Sequence, residues 1–494
     1  MKTWKCEICG YIHNGDIPAR SCPVCGAGEE CFSVLEISVE RTMPVTAEAW
    51  QCGVCNYQHR AKEPPAVCPV CSATNSLFTP LRTQKDSSAH GDIIKRIIVL
   101  GGGIAGLTAA SEARRQSPHA TITLVSREQS LPYYRLNLTR FLAGDIREEE
   151  LQIQPQQWFE GQAITFVSAE TTSIDREQCC VHLRDGSQLG YDRLVLTNGA
   201  HPFIPPFPGA TRAGVSVLRT IEDARAILQR LTHGMRVVCI GGGLLGLETA
   251  GALVRQGASV TVVEGFTSLL PRQLPPRAGI MLQQRLEARG LTIICGETVK
   301  ELVGDESVQG VLLESSRHLP ADLVVVTAGV RPNSYLARRA GLTVQRGIVV
   351  DDRMITSDPA ILAAGDVAEH RGTLYGIWPA GYAQGVVAGC NAAGGKAEFN
   401  GLAPSTRIKV LDVDLFSCGR IHPEDASTSL YENGRNGVYR AIFCRDGQLV
   451  GAVLYGDTSS AGLLKEIIES GRQISECKEV TDLFPELGCI VSPV

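Results

Sequence analysis

Twice along this chain a run of apolar, β-forming positions empties directly into glycines and then into a helical stripe. Residues 97–100 (IIVL) meet Gly101, Gly103 and Gly106 before the helical pattern of 107–115, and residues 237–240 (VVCI) meet Gly241, Gly243 and Gly246 before that of 247–253. Each passage predicts a strand, a tight turn and a helix, with second strands over 120–125 and 259–263. Farther on, 408–416 and 438–454 alternate or run apolar. Asp446-Gly447 inside the second of these runs marks a hairpin turn, and 462–469 reads as a short helix stopped at Gly471.

A strand that ends in G-x-G-x-x-G and opens a helix is what the pyrophosphate of a dinucleotide requires: a tight turn, a backbone approachable without a Cβ, and helix N–H groups aimed at the phosphates. Its recurrence predicts two dinucleotide sites, one that receives electrons and one that delivers them. With 494 residues the chain exceeds one core and divides into about three to five domains. We place two short cysteine-rich units at 1–37 and 47–82 and a polar linker at 83–94. A first dinucleotide domain (95–211 and 324–397) is split by the second (212–323), and a small α/β unit (405–475) and a tail (476–494) follow. The predicted fold class is α/β, with two interleaved Rossmann-type dinucleotide-binding domains between smaller modules.

Net charge is −5 with both signs interleaved, which leaves no basic stripe for nucleic acid. The first ten residues lack the apolar segment of a signal peptide, and no stretch reaches the roughly 18 apolar residues of a membrane span. The sequence reads as soluble and cytoplasmic.

The 18 cysteines change the picture. Eight fall into C-x2-C pairs within an internal repeat of 46 residues, where Cys6, Cys9, Cys22 and Cys25 return as Cys52, Cys55, Cys68 and Cys71. Trp4, Tyr11, His13 and Phe32 return as Trp50, Tyr57, His59 and Phe78. Units this short need a staple. Two knuckles separated by twelve residues bring four thiolates around one tetrahedral ion, whose binding supplies much of the folding free energy. Sulfur in that geometry suits iron and zinc alike. His13 and His59 read as packing or surface residues because each quartet is already complete. No cysteine lies between Cys71 and Cys179, which argues against a dithiol relay or a peroxidatic cysteine beside the first glycine loop. Cys179 and Cys180 fall in an apparent strand, with side chains on opposite faces.

Residues 4–28 (WKCEICGYIHNGDIPARSCPVCGAG) resemble the rubredoxin-type domain at the end of rubrerythrins. That resemblance implies a mononuclear iron in each four-cysteine unit, passing single electrons. The second unit departs from it, with Asn56 and Ser72 where the first has Gly10 and Gly26. Residues 194–209 (LVLTNGAHPFIPPFPG), 325–333 (VVTAGVRPN) and 362–367 (LAAGDV) resemble segments of the FAD-dependent pyridine nucleotide reductases, of the NADH:rubredoxin reductase and nitrite reductase type. LFSCG (415–419) and GAVLYGDTS (451–459) resemble the interface domain of the same family.

This second resemblance implies FAD on the first glycine loop and NAD on the second. It places Asp366 at the ribityl chain or a nearby phosphate, Trp378 along the pyrimidine side of the flavin, and Arg135 in the family's PYxR segment. Arg140 stands where these proteins carry a lysine near flavin N5, with Glu248 facing it beside the flavin–nicotinamide stack. The flavin's adenosine ribose is assigned to Glu128, one residue beyond Arg127, where the family has a glutamate. Glu264, ending the second strand after the second loop, is suited to accept from a ribose 2′-hydroxyl and to repel a 2′-phosphate, which favours NADH over NADPH.

The sequence thus describes an NADH-oxidising flavoprotein that loads its own iron modules and then an external redox protein, for which a flavodiiron protein, a rubrerythrin and a superoxide reductase all stay open. Two alternatives stand beside it: an NADH oxidase or peroxidase acting directly on oxygen or peroxide, and a redox-sensing scaffold with zinc in both modules. Monomer and homodimer are equally compatible with the sequence.

Overall fold

The computed structural model describes residues 94–402 without interruption, most of 405–474, and short stretches of the first eighty residues, among them 2–6, 12–20, 32–34, 50–52, 58–59 and 78–80. The linker over 83–93 and the tail beyond 474 lie outside the described residues.

Arg96–Leu100 is buried over its last four residues and forms the centre of a five-stranded parallel sheet. The order is Ile361–Ala363, Arg193–Leu196, Arg96–Leu100, Thr121–Ser126, Ile164–Ser168. A parallel strand covered on both faces reads as an unbroken apolar run, which is why residues 97–100 show no alternation. Arg236–Ile240 has the same place in a second parallel sheet, ordered Val215–Val217, Leu323–Val326, Arg236–Ile240, Ser259–Glu264, Thr292–Cys295. Each sheet is followed by a three-stranded antiparallel flap, Thr171–Asp175 with Cys180–Leu183 and Gln188–Gly190 in the first half, Val299–Val303 with Gly310–Leu313 and His318–Pro320 in the second. The fold is α/β, and its two large sheets have Rossmann-type topology.

Helix Ile104–Gln116, which follows the first loop, packs along Trp378–Ala392. A Cβ on Gly385 would stand 2.6 Å from the Ala105 carbonyl oxygen, and one on Gly389 would collide with that of Ala109. The two helices therefore touch backbone to backbone, and the first loop is fixed relative to the turn at Gly365–Val367.

Two details depart from the sequence reading. The boundary drawn at 323/324 falls at the edge of strand Leu323–Val326, and all four of its residues are buried within the second sheet, so the strand stays there. The chain crosses back only at Val330–Pro332, which pairs antiparallel with the outgoing Ala200–Pro202. At this crossing the Asn198 amide donates to the Asn333 carbonyl and the Asn333 amide to the Asn198 carbonyl, both at 2.6 Å. In addition, Cys179 does not share a strand with Cys180. It sits in the preceding turn at φ +49°, closed by Asp175 Oδ1, which accepts from the Glu177 and Gln178 N–H groups.

The C-terminal unit is a five-stranded antiparallel sheet ordered Ser405–Val410, Val413–Gly419, Gln448–Tyr455, Val438–Arg445, Thr428–Arg435, with helix Ala461–Ser470 against it. Asp446 and Gly447, at φ +50° and +75°, close the hairpin between Arg445 and Gln448, as a two-residue primed turn requires. Gly471, left-handed at φ +64°, ends the helix.

The cysteine repeat is repeated in strand pairing. Lys2–Cys6 pairs with Ile12–Gly15 and Phe32–Val34, setting Trp4 opposite His13 and Val34 and Cys6 opposite Phe32. Trp50–Cys52 pairs with Gln58–His59 and Phe78–Pro80, setting Trp50 opposite His59 and Pro80 and Cys52 opposite Phe78. Every partner is displaced by the same 46 positions. Of the eight paired cysteines only the Cys22 side chain is described. Among the described residues no helix is long and apolar enough to cross a membrane.

Candidate functional site

Both glycine loops open into one cleft of about 1490 Å³. Gly101 and Gly103 line it from one side and Gly241 and Gly243 from the other. Gly106 and Gly246 lie behind the loops, where a Cβ would sit inside the contact radius of the Gly101 and Gly241 carbonyl oxygens. The loops are held alike from below. Thr197 Oγ1 donates to the Leu100 and Gly101 carbonyls at 2.9 and 3.1 Å, and Thr327 Oγ1 donates to those of Ile240 and Gly241 at 3.0 and 3.1 Å. The threonines were visible in the sequence as the shared start of TNGA and TAGV, but their role emerges only when the strands are paired.

The residues fit a dinucleotide at each loop. Helices Ile104–Gln116 and Leu244–Arg255 point their N-termini at the cleft, and the Cβ positions of Gly103 and Gly243 face open space. Asn198, in the same wall, has a buried side-chain oxygen with no hydrogen-bond partner among the described residues.

Glu128 and Arg135, seven positions apart, meet directly, and the remote Asp366 joins them through Arg219, which the sequence reading did not name. The Glu128 carboxylate accepts from the Tyr133 hydroxyl at 2.5 Å and from the Arg135 guanidinium at 2.6 Å. Arg135 also donates to the Arg219 carbonyl, and the Arg219 side chain forms an ion pair with Asp366 at 2.7 Å. All five residues line the cleft. Burial, opposed by the Arg135 charge, holds the Tyr133 phenol well above its ordinary range, so it remains a donor to Glu128.

Glu264 lies at the end of its strand and is buried, with one oxygen accepting from Gly242 N–H at 2.6 Å and the other from Phe266 N–H at 2.9 Å. The matching residue of the first sheet is Ser126, because Thr121 and Ser259 hold equivalent registers beside Arg96 and Arg236. Arg272, also unnamed beforehand, lines the same cleft.

Glu248 faces the cleft and meets Thr139, whose hydroxyl lies 3.3 Å from its carboxylate. Burial pushes the Glu248 carboxyl up to about 7 against the lowering effect of that hydrogen bond. Thr139 thus stands where Arg140 was expected. Arg140 is not among the described residues lining the cleft, and its charge bears on Glu150. The ring of Trp378 stacks on Tyr134 with centroids 5.5 Å apart at 26°. No cysteine is found among the described residues of the cleft wall. Away from it, Asp175, Cys180 and His182 hold their donor atoms within 4.8 Å of one another, a small mixed cluster on the first antiparallel flap.

Comparison with known proteins covers nearly the whole chain. The family described as pyridine nucleotide-disulphide oxidoreductase matches residues 95–385, the rubredoxin NAD+ reductase C-terminal domain matches 404–472, and the rubrerythrin rubredoxin-like domain matches both 4–33 and 50–79. The chain is 35% identical to the nitrite reductase [NAD(P)H] of Bacillus subtilis over 79% of its own length and 49% of the relative's. It therefore spans about half the length of that reductase. It is 29% identical to the NADH-rubredoxin oxidoreductase of Clostridium acetobutylicum, covering 79% of this chain and 99% of that one. Among solved structures, the NAD-dependent persulfide reductase from A. fulgidus superposes with a TM-score of 0.73 at 28% identity, covering 77% of this chain and 78% of that chain.

Proposed function

Because the chain belongs to the pyridine nucleotide-disulphide oxidoreductase family, we propose that it is an NADH-oxidising flavoprotein that delivers electrons singly to its own rubredoxin-like modules and through them to an external iron-containing redox protein. The observation that carries this reading is the single cleft shared by two glycine loops, which brings two dinucleotides face to face. FAD is assigned to the loop of Gly101, Gly103 and Gly106, with Asp366 and Trp378 beside it and Glu128 toward the adenosine. NAD is assigned to the loop of Gly241, Gly243 and Gly246, with Glu264 at the ribose. When bound, the flavin ring supplies a hydride acceptor that gives its electrons up one at a time.

The chain's own residues do the positioning. Loop N–H groups would hold the two pyrophosphates, the backbone bonds to Glu264 keep its carboxylate oriented, and Trp378, backed by the Tyr134 ring, lines one side of the cleft. Arg135 and Arg219 hold Glu128 and Asp366 in place. Two mononuclear iron sites are assigned to Cys6, Cys9, Cys22 and Cys25 and to Cys52, Cys55, Cys68 and Cys71, supported by the two rubrerythrin-type matches and by the repeated strand pairing. Zinc in either quartet is the competing assignment.

Rapid anaerobic mixing of the iron-loaded protein with NADH tests the proposal. The flavin band and then the ferric-thiolate bands should bleach within one turnover. Loss of the flavin band alone, or metal analysis showing only zinc in well-assembled protein, overturns it.

Glu248 gives this reaction a pH dependence. The carboxylate lines the cleft between the two glycine loops, where its anionic form would favour positive charge developing on a nicotinamide held by the second loop. Flavin reduction by NADH should therefore quicken as pH rises through about 7, roughly tenfold in all. Glu248→Gln should give a flat profile at the slow limit. The effect on folding has the opposite sense. Ionisation costs more in the fold than in the unfolded chain, so this group's contribution to stability is full below about pH 4.5 and is lost as pH rises through about 7, a component missing from the glutamine variant.

A further inference from the structure

One apolar cluster runs from the first cysteine module into the C-terminal unit. Cys22, 2% exposed, and Phe32, 7% exposed, belong to the same buried group as Phe416, Leu454, Leu464 and Ile467. Trp4, Ala19, Leu463 and Ile468 pack on its rim, together with Tyr134. Tyr134 is the residue stacked on Trp378 in the cleft wall. A knuckle cysteine of a module too small for a core of its own is thus buried against a neighbouring domain, in a group that reaches Tyr134, which lies behind the cleft-lining Trp378.

We propose that the first module docks by its Cys22 knuckle onto helix Ala461–Ser470 beside Tyr134, and that it is the point at which electrons enter the iron pair, leaving the second module to meet the external acceptor. The assignment rests on the function proposed above. The two modules share the tryptophan, phenylalanine and cysteines of this surface but differ at its edge. Ile17 and Ala19 of the first are Glu63 and Pro65 in the second. Ile17 is 67% exposed, outside the contact, so the difference that counts is at Ala19, where the rigid ring of Pro65 does not reproduce the rim contact that Ala19 makes. Electrons balance over one cycle: NADH becomes NAD+ and a proton with loss of two electrons, and two ferric ions become ferrous, one electron each. Both electrons pass through the first iron, the earlier one moving on to the second before the later one arrives.

The test uses the full-length, iron-loaded protein with Ala19→Glu on the module side or Ile468→Lys on the helix side. Hydrogen exchange should rise in the member that was not substituted, across 461–470 for Ala19→Glu and across 32–34 for Ile468→Lys. After rapid mixing with NADH, flavin bleaching should keep its wild-type rate, which also shows that the fold is intact, while iron bleaching slows roughly tenfold as the held module becomes merely tethered. Unchanged exchange in the unsubstituted member overturns the docking. Lost protection with undiminished iron reduction overturns the order of the modules. If wild-type iron never bleaches, the electron-transfer reading fails by itself, and the exchange result still decides the docking.

Discussion

Gly106→Val will yield protein that has lost most of its flavin, whereas Gly246→Val will yield yellow protein that NADH bleaches only slowly. Each glycine lies in the first turn of the helix after its loop, and a side chain there would overlap the carbonyl oxygen of the loop's first glycine. The helix must then back away, taking with it the N–H groups that would hold a pyrophosphate. A displacement near 1 Å at such a site costs about 100-fold. We expect flavin content in Gly106→Val to fall below about a tenth of wild type, and flavin reduction by NADH in Gly246→Val to slow about 100-fold while dithionite still bleaches the ring. Stoichiometric flavin in the first variant, or flavin loss confined to the second, would show that the loops are assigned the wrong way round.

The second large effect is expected at Glu264. Its carboxylate is buried and fixed by two backbone donors, so it cannot swing away from a ribose that carries a 2′-phosphate. Two like charges about 4 Å apart near a protein surface repel by about 4 kcal/mol, enough for a preference for NADH over NADPH well beyond tenfold. Glu264→Ala should erase most of that preference, reducing it about 100-fold as judged by the ratio of kcat/KM values. Flavin content should be unaffected. An unchanged ratio would mean that Glu264 serves the loop's geometry and takes no part in selecting the nucleotide.

The features that could be read in advance are those written in neighbouring residues. A strand emptying into glycines, a two-residue turn at Asp446-Gly447 and a helix stopped at Gly471 each specify their geometry within a few positions, and all three are found. The module repeat was equally plain, because its register survives position by position in the strand pairing. The strand at 323–326 was divided because its apolar run looks the same whichever sheet receives it, and the pairing partners decide. The contacts within the cleft were less accessible. Arg219 lies 147 positions from Asp366, and Thr139 lies 109 from Glu248. Nothing local distinguishes Arg219 from a surface arginine, and Arg140 is singled out by its match to the family's lysine, which carries no information about the neighbouring hydroxyl that reaches Glu248. Ser126 illustrates the reverse: the register of the first sheet places it where Glu264 stands in the second, a correspondence that the glycine spacing alone, differing by two positions between the halves, conceals.

The crossing at Asn198 and Asn333 also has a bearing on how such a chain can be rearranged. Outgoing and returning segments are stitched together by side chain and strand at one spot, so the 134 intervening residues form a closed excursion with adjoining ends. A unit with adjoining ends can be opened elsewhere on its surface and rejoined at the neck, whereas another unit put in its place would have to restore the partners of Asp366 and Thr139.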